Sequence, residues 1–210
     1  MIISHRHKFI FFAVPKTATH TIREALRQHT DDGDWEQQVL YGKQFFPMPE
    51  IARLQHGHIS AEQIRPHLDA DMWDGYFKFG FVRNPFDRFV STCFFLNRED
   101  PTFANNAVSF MKERIGRERF QKRVLVRPQH QQLCWSNGDI ALDYVGRYDS
   151  LQQSYDEICE RIGFPGTKLG VKNSSKHSTF DTYYDADLRQ RVASFYAEDL
   201  RIFDYDFPSG

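Results

Sequence analysis

This sequence predicts an α/β fold built on a parallel sheet, and three observations lead there. Segments of strand character recur at Phe9–Val14, Tyr76–Val82 and Asp143–Arg147. Each is followed by apolar residues at helical spacing, and strand–helix alternation of this kind specifies parallel strands covered by helices. At 210 residues, 20 of them Phe, the chain can bury a sizeable core in one domain spanning residues 1–210.

The elements follow in order. Phe9–Val14 is a continuous apolar run that stops at Pro15, and Ile22, Ala25, Leu26 and His29 then mark a helix from about Thr21 to Gln28. Asp31–Gly57 is polar and aromatic, with Pro47 and Pro49, and reads as a long irregular excursion, a feature that is commonly functional or mobile. Ser60-Ala61-Glu62-Gln63 is a capping box for a short helix ending near Leu68. After the Tyr76–Val82 strand, Asn84-Pro85 opens a helix, because Pro favours the first helical position. Its stripe is Phe86, Phe89, Val90, Cys93 and Phe94. Asp149 or Ser150 caps a helix bearing Leu151, Tyr155, Ile158, Cys159 and Ile162, which Gly163 and Pro165 end. A last helix, about Asp185–Phe203, carries Leu188, Val192, Phe195, Tyr196 and Phe203.

Bulk properties narrow the function classes. Lys+Arg 27 against Asp+Glu 28 leaves a net charge of −1, so bulk charge points neither to nucleic acid nor to anionic membrane, and any basic surface is local. The cysteines, Cys93, Cys134 and Cys159, form no Cys-x-x-Cys pair, and Cys93 and Cys159 fall on apolar stripes as core thiols. No window reaches the apolar length of a membrane span, and Ser4–Lys8 leads into a strand without a signal-peptide pattern. The expectation is a soluble, cytoplasmic protein without a transmembrane segment.

Chemistry concentrates at two strand–helix junctions. At the first, Lys16 sits among small hydroxyl residues between the strand and a helix start. Free N–H groups and the positive dipole end attract anions there, and the lysine adds a full charge. A solvent-facing lysine is the plain alternative. The turn lacks the glycines and the Gly-Lys-Ser/Thr ending of a nucleoside-triphosphate loop. At the second junction Arg83 offers a planar fork suited to phosphate, and Ser91 adds a hydroxyl two turns into the helix. An ion pair of Arg83 with Asp87 is the competing reading.

The two segments together resemble the sulfotransferases that use 3′-phosphoadenosine 5′-phosphosulfate. Pro15-Lys16-Thr17-Ala18-Thr19-His20-Thr21 is similar to their 5′-phosphosulfate loop, and Val82-Arg83-Asn84-Pro85-Phe86-Asp87-Arg88-Phe89-Val90-Ser91 to their 3′-phosphate segment. The match is nearest the carbohydrate branch, the uronyl 2-O-sulfotransferases and their bacterial relatives. Val145-Gly146-Arg147-Tyr148, the Lys172–His177 loop, Tyr183-Tyr184 and Tyr196-Ala197-Glu198-Asp199 also fit that branch.

The resemblance implies a P-loop-like three-layer fold with a central parallel β-sheet flanked by helices. It implies donor contacts from Lys16, Thr17, Ala18, Thr19, His20, Thr21, Arg83, Ser91, Lys172 and Ser174. Lys16 would stabilise the leaving bridging oxygen. His20 stands where a small hydroxyl residue is common. The acceptor would be a hydroxyl, on a saccharide, and no metal is implied.

An acceptor hydroxyl must lose a proton, for which a histidine is suited near neutral pH. Gln55-His56-Gly57-His58 supplies two candidates before the capped helix. The second histidine of this segment resembles the base of the uronyl branch, which makes His58 the expected base and His56 its supporting residue. A structural helix-entry histidine is the alternative for His58, and an acid within Asp31–Glu36 the next candidate base.

Lys112–Arg127 carries seven cations against Glu113 and Glu118, a solvated face or one wall of a groove for an acidic saccharide. Residues 31–57 and 97–132 are the expected acceptor-side excursions. Two rival functions are a nucleotide kinase or phosphotransferase, which would need a glycine-rich loop and a magnesium-holding acid, and a non-catalytic nucleotide- or glycan-binding module.

Overall fold

The computed structural model describes residues 1–40, 42–170 and 179–208, so Lys172 and Ser174 lie outside the described residues. In chain order the elements are β1 (Ile2–Ser4), β2 (Phe9–Phe12), α1 (Thr19–Arg27), β3 (Trp35–Glu36), α2 (Pro49–Ala52), α3 (Ala61–Ile64), α4 (Ala70–Gly75), β4 (Phe77–Val82), α5 (Pro85–Leu96), α6 (Phe103–Ile115), α7 (Glu118–Gln121), α8 (His130–Leu133), β5 (Tyr144–Arg147), α9 (Leu151–Ile162), α10 (Ala186–Phe195) and α11 (Ala197–Ile202). The chain divides into two compact units, Met1–Val82 with His130–Val171, and Arg83–Gln129 with Lys172–Gly210.

The first unit holds a five-stranded sheet in the order β3-β1-β2-β4-β5. β2, β4 and β5 are parallel, as strand–helix alternation requires. This central parallel core is extended on one side by strands that the sequence reading did not include, with β1 antiparallel to both β2 and β3. The three residues of β1 are too few to show a period. A tight turn with Lys8 at φ 51° folds β1 back onto β2, and Asp34 accepts from the Ser4 hydroxyl at 2.9 Å.

One sheet face, with Phe9, Phe11, Phe79 and Phe81, packs on Ile22, Ala25 and Leu26 of α1 and on Tyr155, Ile158 and Cys159 of α9. Each large apolar side chain buried this way contributes about 1.5–3 kcal/mol. Gly163 ends α9 with φ 86°, a left-handed cap that glycine adopts without steric cost. The register Phe9↔Phe77 to Phe12↔Gly80 brings the carboxyl ends of β2 and β4 to the same sheet edge. That is where open α/β sheets bind ligands.

The second unit is helical. Phe86, Phe89, Val90 and Cys93 of α5 pack with Met111 of α6 and Leu188 and Val192 of α10. The expected last helix divides at Tyr196 (φ −105°, ψ 22°), giving α10 and α11. The Tyr196 ring is fully buried and its hydroxyl donates to the Val126 carbonyl at 2.6 Å. A helical period cannot reveal that anchor. Cys93, Cys134 and Cys159 are buried and take part in no disulfide among the described residues.

Candidate functional site

The lysine turn is a strained and well-pinned piece of backbone. Phe9–Val14 is at most 1% exposed, so the strand delivers the turn from a fixed base. Lys16 (φ 67°) and Ala18 (φ 61°) are both left-handed, while Thr17 between them is not. Non-glycine residues in this region are uncommon and cost about 1–3 kcal/mol each. Alternating handedness is the backbone form of anion-binding nests. The hydroxyls of Thr17 and Thr19 both donate to the Val14 carbonyl, the first at 3.0 Å. Their protons therefore stabilise the turn, and the donors they would offer an anion are main-chain N–H groups.

Helix α1 begins at Thr19, two residues earlier than the periodicity predicts, because Ala18 supplies the turn of backbone before it. Ala18 is the N-cap and no side chain caps the helix. Thr19, His20 and Thr21 are thus the first-turn residues, at the positive dipole end. His20 is directed along the helix, with Nε2 3.1 Å from Glu24 Oε1.

The His-Gly-His segment is brought to the same strand end. His58 Nδ1 lies 2.6 Å from the Ala13 carbonyl oxygen. A carbonyl only accepts, so Nδ1 carries the proton and Nε2 holds the lone pair. Burial pushes the His58 pKa from 6.5 down to about 3; the Ala13 bond opposes this, and Arg23 adds to the lowering. The imidazole is therefore neutral. Gly57 is required by close packing: a Cβ there would lie 2.1 Å from Gln37 O and 2.7 Å from Arg23 Nη2. Gln37 donates to the His56 carbonyl at 3.0 Å. On the other side of His58, Ser60 and Gln63 complete the capping box.

Gln132, which sequence reasoning missed, donates to the carbonyls of Ala13 (3.0 Å) and Ile59 (3.3 Å). It joins the strand end to the histidine segment. Two acids of Asp31–Glu36 have structural partners. Glu36 pairs with Arg23 and Arg27, which hold its carboxyl below the usual range against the opposing effect of burial. Asp34 accepts from Ser4 and from the His5 N–H.

In the second unit, Arg83 is 6% exposed and bidentate to Asp87, with Nε–Oδ2 and Nη2–Oδ1 both 2.7 Å. The competing reading of this residue is thus a real interaction, and it uses two of the five guanidinium N–H donors. Ser91, 3% exposed, lies four residues after Asp87 and shares its face of α5. Gln129 accepts from Arg83 N–H at 3.0 Å and donates to Arg83 C=O at 2.9 Å.

Of the basic run, Lys112 meets Asp185 and Asp187, Arg117 meets Glu113, and Lys122 meets Glu118. Arg119, Arg123 and Arg127 are exposed, with no ion pair among the described residues. Also among these, no group of three or more His, Cys, Asp or Glu is placed to hold a metal ion. No helix there is long and apolar enough to cross a membrane.

Fold and turn together define an α/β protein with an anion-type strand–turn–helix at the carboxyl edge of its sheet. The chain belongs to the sulfotransferase family, whose profile, described as "Sulfotransferase family", matches residues 1–206. It is also similar to an uncharacterized protein of Archaeoglobus fulgidus, 28% identical over 105 residues, covering 50% of this chain and 82% of that protein. No solved structure matches.

Proposed function

We propose that this protein transfers the sulfuryl group of 3′-phosphoadenosine 5′-phosphosulfate to an acceptor hydroxyl on a saccharide, in the manner of the uronyl 2-O-sulfotransferases. The observation that carries this reading is the uncapped, left-handed Lys16–Ala18 turn with a neutral histidine tethered beside it at Ala13.

The main-chain N–H groups of Thr17–Thr21 would seat the 5′-phosphosulfate at the start of α1. His58 Nε2 would take the acceptor proton as the acceptor oxygen bonds to sulfur. The bond between sulfur and the bridging phosphate oxygen breaks, and Lys16 neutralises the charge left on that oxygen. The products are a sulfate ester and 3′,5′-adenosine bisphosphate. A bound anion at the turn would raise the His58 pKa, bringing the base closer to its working range. We assign the donor's 3′-phosphate to Arg83 and Ser91, a charge-assisted fork with a hydroxyl on the adjoining helix face. The exposed Arg119, Arg123 and Arg127 favour an acidic acceptor.

Calorimetry tests the donor class. Magnesium-free 3′,5′-adenosine bisphosphate is expected to bind more tightly than ATP with magnesium, and preference for ATP would overturn the proposal. Binding of the bisphosphate without transfer to any member of an acceptor panel would reduce the protein to a binding module.

A further inference from the structure

Arg83 occupies an awkward place in the backbone. β4 ends at Val82 and α5 begins at Pro85, so neither ladder nor helix provides for the Arg83 main chain. Buried N–H and C=O groups must find partners. Gln129 partners both, its side-chain amide acting as one residue of an extra strand: Oε1 accepts from Arg83 N–H and Nε2 donates to Arg83 C=O. Gln129 is 1% exposed, and its own N–H donates to Asp199 Oδ2 at 2.7 Å. Asp199 is fully buried on α11.

The segment that presents Gln129 is gripped by the helix that follows Arg83. Arg88 of α5 is fully buried and meets the carbonyls of Leu125 (3.3 Å), Val126 (3.3 Å) and Arg127 (2.7 Å). Tyr196 holds the Val126 carbonyl as well. A closed circuit results, from Arg83 through α5 and Arg88 to 125–127, and back through Gln129 to Arg83.

We infer that Gln129 is a positioning residue that fixes the Arg83 main chain and so sets selectivity for ligands bearing a 3′-phosphate. The inference rests on the assignment of that phosphate to Arg83. Asp87 holds one edge of the fork and Gln129 holds its root, so the guanidinium is oriented before any ligand arrives. Releasing the root leaves the charge in place but lets its direction vary.

The test is the ratio of dissociation constants for 5′-AMP and 3′,5′-adenosine bisphosphate, which isolates the 3′-phosphate. Loss of a buried hydrogen bond of about 1.4 kcal/mol corresponds to a tenfold change. Gln129→Met, similar in volume but without the amide, is therefore expected to lower the ratio about tenfold while leaving 5′-AMP binding within twofold of wild type. Gln129→Asn keeps an amide on a side chain one methylene too short for both bonds, and is expected to lower the ratio as well if the Met variant does not fold. An unchanged ratio in a folded Gln129 variant, alongside a collapsed ratio in Arg83→Ala, overturns the positioning role alone. Equal weakening of both ligands also overturns it, by showing a general structural role. An unchanged ratio in Arg83→Ala overturns the 3′-phosphate assignment and this inference with it.

Discussion

After β2 and after β4 the chain passes from a parallel strand through a cation into a helix, and these two junctions are built on different principles. At the first, Lys16 and Ala18 are left-handed and α1 has no side-chain cap. At the second, Asn84 caps α5 by accepting from Phe86 N–H at 3.0 Å, Pro85 takes the first helical turn, and Asp87 pairs with the arginine. The first junction stores backbone strain and keeps a helix terminus uncapped. The second is locally satisfied, and under the proposed function its share of recognition falls to side chains, Arg83 and Ser91. Under the proposed function the contrast would suit two different anions: a reacting group surrounded by main-chain donors, and a spectator phosphate gripped by a fork.

The largest expected effect tests the first junction. Lys16→Ala should lower kcat by about 10³-fold, the scale for losing one preorganised stabiliser of developing charge. Turnover near wild type in a single-turnover assay would remove Lys16 from the mechanism and leave the turn a passive seat.

His58 comes next. His58→Ala should lower kcat by about 10²–10⁴-fold while sparing bisphosphate affinity, and an unchanged rate would move the base elsewhere. Its pH behaviour is a separate check. The folded pKa is about 3 against 6.5, so between those values the unfolded chain binds the extra proton. Stability is therefore fully present above pH 6.5 and falls as pH drops toward 3. In ligand-free protein the His58 ring resonances should stay in the neutral form down to about pH 5. Adding 3′,5′-adenosine bisphosphate should raise the titration midpoint. A His58 midpoint near 6.5 without ligand would contradict the buried, Ala13-bound imidazole.

What the sequence made legible follows from the range of each interaction. Strand starts, the Ser60 capping box and the Arg83–Asp87 alternative rest on neighbours within four residues, and periodicity or spacing exposes them. The left-handed Ala18 escaped notice because neither Gly nor Asn advertises it. The backbone pairings of Gln129, which the sequence suggests only as a border of the acceptor cleft, and of Gln132 escaped for another reason: their partners lie 46 and 119 residues away, at Arg83 and Ala13. A glutamine in a polar segment gives no local sign of which backbone it will meet. The strand β1 was missed because three residues carry no period, and the break at Tyr196 because a tertiary anchor overrides helical propensity.

The smallest effect sharpens the comparison at its second side. Asn84 is a true side-chain cap, so Asn84→Ala should cost about 1 kcal/mol of unfolding free energy. Because the phosphate grip there is assigned to the arginine fork and not to the helix terminus, bisphosphate affinity should change less than twofold. A denaturant melt paired with calorimetry reads both quantities on one preparation. Loss of affinity in step with stability would mean that the α5 terminus itself takes part in binding. The two junctions would then differ in how the helix end is satisfied without ligand, and not in the kind of donor they present to it.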